Sequence, residues 1–123
     1  MNREPRLVKT KKPYYPPSLR SKGVEGFVVV AFRISETGEV LDPKVALSRP
    51  EKVFDEYAVE AARKWRYEPK RVDGIPVEVP LKRSLVAFCL PEAQFPRGWI
   101  RPKLCRGEKE YWEAVEELKD AGK

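Results

Sequence analysis

Two groups of side chains have the residue types that catalysis or metal binding requires: the carboxylates Asp55, Glu56 and Glu60, and the thiols Cys89 and Cys105. Acid–base or nucleophilic catalysis also needs a partner group, and this chain contains no histidine, no glycine-rich phosphate loop and no nucleophile motif. The three carboxylates fall on the solvent side of a predicted helix whose opposite side is apolar. We therefore expect no enzymatic activity and no cofactor.

The two cysteines, Cys89 and Cys105, lack the histidine and the carboxylate cluster that a metal site would need, so we expect no bound metal. In an oxidising compartment a disulfide between them would close a loop of 15 residues, which the loop-entropy model values at about 3 kcal/mol. In the cytosol they would remain thiols. Their spacing leaves both outcomes open, because pairing depends on the distance between them in the fold.

The net charge of +6 arises mainly in the first twelve residues, which hold five Lys or Arg against a single Glu. Nucleic-acid-binding domains usually concentrate such charge on a folded face, whereas residues 13–88 are nearly balanced. We therefore expect residues 1–12 to form a flexible basic leader and expect no nucleic-acid partner. The alternatives are a leader that docks on an acidic surface and a small basic protein that binds nucleic acid.

A helix is predicted by apolar side chains that recur at intervals of three or four and share one face: Phe54, Tyr57, Ala58, Ala61 and Trp65. The pattern stops at Pro69, which lacks a backbone N–H and favours extended geometry in the residue before it. After Gly74 the apolar residues alternate at every second position, which is the period of a strand. The pentapeptide Trp65-Arg66-Tyr67-Glu68-Pro69 therefore marks the place where a helix meets a sheet.

Two further strands precede this helix, and a turn at Gly38 joins them. The first spans residues 26–34, the second residues 40–48, and the third strand extends from residue 74 to residue 88. The fold class is therefore α+β, with a three-stranded antiparallel sheet in the order 2-1-3 and the helix packed on one face. In this order the third strand lies at an edge.

Residues 13–88 form the predicted domain, and residues 89–123 form a proline-rich extension that ends in a predicted helix over residues 108–121. This helix either binds a partner or folds back as a cap. The face of the first strand opposite the helix carries Phe27, Val29 and Ala31, so we expect a dimer partner or the extension to cover it. No apolar run approaches the ~20 residues that span a bilayer, and the first twelve residues lack the apolar centre of a signal peptide.

Three short motifs occur in the order and spacing of one known family: Tyr15-Pro16, Glu25-Gly26 and the pentapeptide that ends at Pro69. Over residues 13–88 the chain resembles the C-terminal domain of TonB. The resemblance implies a periplasmic domain without chemistry of its own, which transmits inner-membrane energy to outer-membrane transporters. It also implies coupling to the ExbB–ExbD motor and tethering to the inner membrane through a segment outside this sequence.

In that family the last strand pairs with a short extended segment of the receptor, the TonB box, by strand addition. The corresponding positions here are Val77, Glu78, Val79, Pro80, Leu81, Lys82 and Arg83. The resemblance implies a second contact around the Tyr-Pro pair, at Lys12, Pro13, Tyr14, Tyr15 and Pro16. The implied partners are TonB-dependent outer-membrane receptors, and a strand-exchanged homodimer also remains open. The alternative function is a TonB-fold adaptor or scaffolding module of another envelope assembly, which binds no TonB box.

Pro76 and Pro80 are four positions apart, so in one continuous strand both would remove N–H donors from the same edge. We expect that edge to be the outer one, because missing donors are strongly disfavoured inside a sheet. Two lost hydrogen bonds would weaken strand addition by about 1–3 kcal/mol. Two interpretations remain open: the prolines protect the edge from aggregation, or the domain has narrowed or lost TonB-box binding.

Overall fold

Two short helices and seven strands make up residues 2–90, the part of the chain that the computed structural model describes. In chain order they are β1 (Arg6–Lys9), α1 (Pro17–Ser21), β2 (Gly26–Ile34), β3 (Val40–Arg49), α2 (Asp55–Arg63), β4 (Arg66–Glu68), β5 (Lys70–Val72), β6 (Ile75–Val77) and β7 (Val79–Phe88). Within this part, no helix has both the length and the apolar character needed to cross a membrane. The helix predicted over residues 108–121 lies outside the described residues.

β2 is the centre of a three-stranded antiparallel sheet with the strand order β3-β2-β7. Val28, for example, lies opposite Ser48 of β3 and opposite Val86 of β7. α2 packs on one face of this sheet, against β2 and β3. The predicted order 2-1-3 and the α+β class are therefore confirmed.

The core lies between α2 and this face of the sheet. Every second residue of β2 points into it, and alanines on α2 let the helix approach closely. The buried members are Val28, Val30, Phe32, Ile34, Phe54, Ala58, Ala62, Trp65, Tyr67, Val86 and Phe88. The rings of Phe54 and Phe88 stack at a centroid distance of 4.2 Å, which joins the start of α2 to the end of β7.

The helix ends at Arg63 and the chain then enters β4, as the predicted helix–sheet junction requires. Trp65 packs edge-on against Phe32 with ring centroids 6.0 Å apart, and the ring of Tyr67 lies 5.9 Å from the same phenylalanine. β4 does not continue into the third strand of the central sheet, however, because it pairs with β1. The two aromatic rings therefore fix the end of α2 and the whole of β4 to the central strand.

The third strand is shorter than predicted, because residues 70–77 form a separate hairpin of β5 and β6. Asp73 and Gly74 at its turn have φ angles of 52° and 79°, as a two-residue type I′ turn requires. The apolar alternation continues through this hairpin, which is why the sequence predicts one strand from residue 74. The strand that joins the central sheet begins at Val79.

The predicted flexible leader contains a strand, so the prediction is corrected for residues 3–9. β1 pairs antiparallel with β4, with Arg6 opposite Glu68, and Arg3 exchanges two backbone hydrogen bonds of 2.9 Å with Arg71. β4 and β5 would otherwise leave unpaired N–H and C=O groups at their edge, and this segment satisfies them. The exposed ion pair of Arg6 and Glu68 contributes little beside these backbone bonds.

A close backbone contact with β4 fixes the turn between β2 and β3. Gly38 in this turn has a φ of 89°, and its carbonyl accepts a hydrogen bond of 2.9 Å from the N–H of Tyr67. A Cβ atom at Gly38 would lie 1.9 Å from the Tyr67 carbonyl oxygen. Both the backbone angle and the space therefore require glycine.

Tyr15 fastens the segment before α1 to the core. Its ring packs edge-on against Phe54 and Phe88 at centroid distances of 5.5 and 5.7 Å. Its hydroxyl donates a hydrogen bond to the carbonyl of Val24, which precedes β2. The Tyr-Pro motif thus connects the start of α2, the end of β7 and the start of β2.

We expect Gly38→Ala to destabilise the full chain far more than Gly74→Ala. Both positions have positive φ, which costs an alanine about 1–2 kcal/mol, but a Cβ atom at Gly74 would meet no atom within 4 Å. Urea unfolding should show a difference of at least about 2 kcal/mol between the two variants, because only Gly38→Ala forces β4 away. Equal losses in the free energy of unfolding would show that β4 can move away from Gly38 at little cost.

A second expectation concerns the ionisation of Tyr15. Burial, and next the nearby Glu25 carboxylate, raise its pKa from 10.0 to about 12, with Arg20 acting in the opposite direction. The stability that the neutral ring contributes is therefore complete below pH 10 and is lost as the pH rises towards 12. Tyrosinate absorbance of the full chain should show a step near pH 12 that Tyr15→Phe removes and Tyr14→Phe, at an exposed ring, retains. A Tyr15 step at the ordinary pH would contradict the buried position.

Candidate partner-peptide site

β7 lies at one edge of the central sheet among the described strands, since β2 is its neighbour there. Of the positions predicted for the strand contact, those on β7 are Val79, Pro80, Leu81, Lys82 and Arg83. Val77 instead ends β6, and Glu78 lies between the two strands. The structure therefore divides the predicted stretch between two sheets.

The start of β7 contains a bulge. Phe32 of β2 lies opposite Lys82, whereas Ile34, two positions further, lies opposite Val79. Residues 80–81 therefore face a single residue of β2, and both of them are exposed. Regular pairing with β2 begins at Lys82 and continues to the end of the strand.

The two prolines do not remove donors from one continuous edge, so that part of the sequence interpretation is wrong. Pro76 lies in β6 opposite Arg71. Counted from the two-residue turn, Arg71 and Pro76 form the second residue pair of the hairpin. Such a pair exchanges no backbone hydrogen bonds, so Pro76 needs no N–H there. Pro80 lies in the bulge, where the ladder is interrupted. Residues 82–88 contain no proline, and in a strand every second N–H points away from the paired neighbour.

Arg33, the β2 residue opposite the bulge, connects β2 to β3 and to the residue that precedes β7, a role that the sequence analysis does not predict. Its guanidinium donates a hydrogen bond of 2.5 Å to Asp42 of β3 and one of 2.6 Å to Glu78. These bonds, first that to Asp42 and then that to Glu78, raise the pKa of Arg33. Glu78 is therefore an internal partner within the domain. The signal in the sequence is a lone charged residue within the otherwise apolar residues 26–34.

The second predicted contact group separates into buried and exposed residues. Pro16 is buried, and Pro13 and Tyr15 are partly buried. Lys12 and Tyr14 are exposed, Tyr14 at 61%. Only these two side chains of the group are therefore exposed enough to contact a partner directly.

A shallow cleft of about 180 Å³ lies beside Tyr14 on the side of α2. Its lining residues are Lys11, Lys12, Tyr14, Tyr57, Glu60, Ala61 and Lys64. The rings of Tyr14 and Tyr57 lie 5.7 Å apart, and burial, followed by a hydrogen bond with Glu56, raises the pKa of Tyr57. Because three lysines face one carboxylate here, the cleft suits an acidic or aromatic side chain of a partner.

The segment that carries Lys12 and Tyr14 is fixed to the core at both of its ends. Trp65, which packs on the β2 residue opposite Lys82, donates its indole N–H to the Lys11 carbonyl at 3.3 Å. Four positions later, Tyr15 packs on Phe88 at the other end of the regular pairing. The two ends of residues 11–15 are therefore held at Trp65 and at Phe88, while Lys12 and Tyr14 between them line the cleft beside α2.

The three carboxylates that the sequence analysis considered for catalysis all lie on α2, where they interact with the helix or with a neighbouring arginine. Glu60 pairs with Arg63 at 3.5 Å on the exposed side of α2. Asp55 and Glu56 lie in the first turn of the same helix, where negative charge interacts favourably with the helix dipole. Within residues 2–90 no group of three or more potential ligands could hold a metal ion.

Cys89 directly follows β7 and is disulfide-bonded. Cys105, its predicted partner, lies outside the described residues. The pairing of Cys89 with Cys105 therefore remains a prediction.

Comparison with known proteins gives consistent matches. The family model for the Gram-negative bacterial TonB protein C-terminal region matches residues 11–88. Protein TonB of Pseudomonas aeruginosa is 42% identical over 62 residues, which cover 50% of this chain and 18% of that protein. Protein TonB of Escherichia coli is 33% identical over 79 residues, which cover 63% of this chain and 33% of that protein. The chain thus matches a third or less of the length of these two relatives.

A solved structure agrees with the sequence comparison. The solution NMR structure of the Pseudomonas aeruginosa TonB C-terminal domain matches with a TM-score of 0.54 and 28% identity, over 79% of this chain and 90% of that one. The family match includes both predicted contact groups and the whole central sheet. The chain belongs to the TonB C-terminal domain family, the periplasmic domains of energy-transduction proteins.

Proposed function

We propose that this domain binds an extended segment of an outer-membrane receptor by strand addition to the outer edge of β7. The observation that carries the proposal is the proline-free run of residues 82–87, which pairs regularly with β2 on one side and, among the described strands, has no neighbour on the other. Alternate N–H and C=O groups on that side can pair with an incoming strand.

The proposed contact lies further along β7 than the family motif alone suggests. Of the predicted positions 77–83, only Lys82 and Arg83 lie in the regularly paired part of the strand. Lys12 and Tyr14 supply side-chain contacts beside it, while the strand edge supplies main-chain hydrogen bonds. Tyr15 acts indirectly, because its packing on the core holds this segment in place.

We also propose that this domain belongs to a longer protein. The receptor segment is the TonB box, and the energy comes from the ExbB–ExbD motor through a part of the protein outside this sequence. A tether to the inner membrane belongs to the same proposal. Family membership supports these assignments. Strand addition alone supplies no force, so energy transmission requires that the domain be coupled to a motor.

A second candidate is a TonB-fold adaptor of another envelope assembly that binds no TonB box. The bulge favours it, because Pro80 and Leu81 interrupt the edge within the stretch that the family motif would use. Leu81 is also 49% exposed and offers an apolar contact of a different kind.

Titration of the isotope-labelled full chain with TonB-box peptides from receptors of the same organism tests the proposal. We expect backbone amide shifts in residues 82–88 and at Lys12 and Tyr14, with smaller shifts in β3 at the opposite edge. The same peptides carrying N-methyl groups at alternate residues should bind at least about tenfold more weakly, because each main-chain hydrogen bond contributes about 0.5–1.5 kcal/mol. The absence of any shift at millimolar peptide would overturn receptor binding and favour the adaptor.

Pro80→Leu tests whether the bulge or the proline limits the edge. Because Pro80 lies where the ladder is already interrupted, we expect its replacement to change peptide affinity by less than about threefold. Pro76→Leu, in the separate hairpin, is the matched control and should leave the affinity unchanged. A gain of tenfold or more with Pro80→Leu alone would show that the missing N–H itself restricts strand addition.

A further inference from the structure

Four cationic side chains meet in a second cleft, which we call the basic cleft. It has a volume of about 370 Å³ and is lined by Lys9, Thr10, Lys11, Lys64 and Arg66, all of which are exposed. Lys11 and Lys64 also line the cleft beside Tyr14, so the two clefts adjoin. Among the residues that the structure describes, no carboxylate lines the basic cleft.

The backbone holds the basic cleft together although its residues are far apart in the sequence. Lys9 lies directly opposite Arg66 in the ladder of β1 and β4. The carbonyl of Lys11 accepts the indole N–H of Trp65, the residue between Lys64 and Arg66, at 3.3 Å. The end of β1 is therefore joined to the end of α2, and the lysines of the N-terminal segment have fixed cationic neighbours.

The positive charges of the basic cleft are not neutralised within residues 2–90. No ion pair in this part of the chain includes a residue of the cleft. Glu39, which lies on the other side of Arg66 from Lys9, forms no ion pair with it either. Like charges directly opposite each other destabilise a pair of strands, so the pair of Lys9 and Arg66 does not serve the stability of β1.

The end of α2 accounts for only part of this cluster. Basic side chains near the C-terminus of a helix interact favourably with its dipole, and Lys64 is the C-cap residue of α2. Arg66 donates hydrogen bonds of 3.3 and 2.8 Å to the carbonyls of Arg63 and Trp65. Stabilisation of the helix end does not explain why two further lysines, Lys9 and Lys11, line the same cleft.

We propose that the basic cleft binds an acidic segment of a partner protein that presents at least two neighbouring carboxylates. A cleft lined by charge of one sign concentrates the electric field and attracts groups of the opposite charge. One carboxylate would balance only a quarter of the charge of the four cations, so a run of acidic residues complements the cleft better. The hydroxyl of Thr10 adds a neutral hydrogen-bond donor for a carboxylate oxygen.

The adjoining cleft favours a peptide over a lipid headgroup or a free anion. The rings of Tyr14 and Tyr57 lie 5.7 Å apart there and offer a contact for an aromatic side chain. A peptide can carry an aromatic residue next to its carboxylates, whereas a headgroup or a free anion cannot. The inference does not depend on strand addition, because no residue of β7 is among those that line the basic cleft.

Titration of the isotope-labelled full chain with hexaglutamate tests the proposal, and hexaglutamine is the matched uncharged peptide. We expect amide shifts at residues 9–11 and 64–66 with hexaglutamate alone, and none in β7. Raising the salt concentration from about 10 mM to about 150 mM should weaken binding at least about fivefold, because the Debye length falls from about 30 Å to about 8 Å.

A pair of double variants separates the basic cleft from the net charge of the chain. Lys9→Gln with Lys64→Gln should weaken hexaglutamate binding at least about fivefold, because each exposed ion pair that is lost costs up to about fivefold. Lys22→Gln with Lys44→Gln removes the same charge from exposed positions outside the cleft. This control should change the affinity by less than about twofold, and circular dichroism shows whether each variant is folded.

Four results would overturn the proposal. Equal weakening by the two double variants would show that the peptide responds to net charge alone. Equal shifts with free glutamate at the same carboxylate concentration would show a site for single anions. An absence of shifts with millimolar hexaglutamate would exclude the acidic segment. Sedimentation with phosphatidylglycerol vesicles that requires Lys9 and Lys64, without a response to hexaglutamate, would assign the cleft to a membrane surface.

Discussion

The burial of β2 on both faces is the constraint on which the rest of the structure depends. A strand without a solvent side must pair along both edges and be covered above and below, because its backbone groups need partners and its side chains need contacts. β3 and β7 satisfy the edges, and α2 together with the Tyr15 segment covers one face. Arg33, the charged residue of β2, lies near its end, where it connects β3 to the start of β7.

The central sheet and α2 are predictable because their signals are local periodicities. The pairing of β1 with β4 has no such signal, since it joins positions 62 residues apart through a strand of four residues. The β5–β6 hairpin had a usable signal in Asp73-Gly74, the dipeptide that type I′ turns prefer. That signal is overlooked when the alternation on both sides of it is taken as one strand.

The position of the candidate site at an edge of the sheet can be predicted from the sequence, but the shape of its surface cannot. Strand order alone places β7 at the edge, whereas the bulge at residues 80–81 depends on how β7 meets β2 in three dimensions. The Tyr-Pro motif illustrates the same difference. From its sequence alone, Tyr15 could contact either a partner or the core. The structure shows that its ring packs on Phe54 and Phe88 in the core.

The N-terminal strand is the part of the domain that would yield first to tension applied from the N-terminal side. β1 is attached by backbone hydrogen bonds to the three-residue strand β4, and all four of its residues are exposed. Tension from the N-terminal side loads these bonds before those of β2, which is held along both edges. Detachment of residues 2–9 would release about 26 Å of chain while Tyr15 still holds the core. The domain thus has a compliant section in series with a stiff one, and a sudden pull on the N-terminal side would be taken up by β1 before it reached the central sheet.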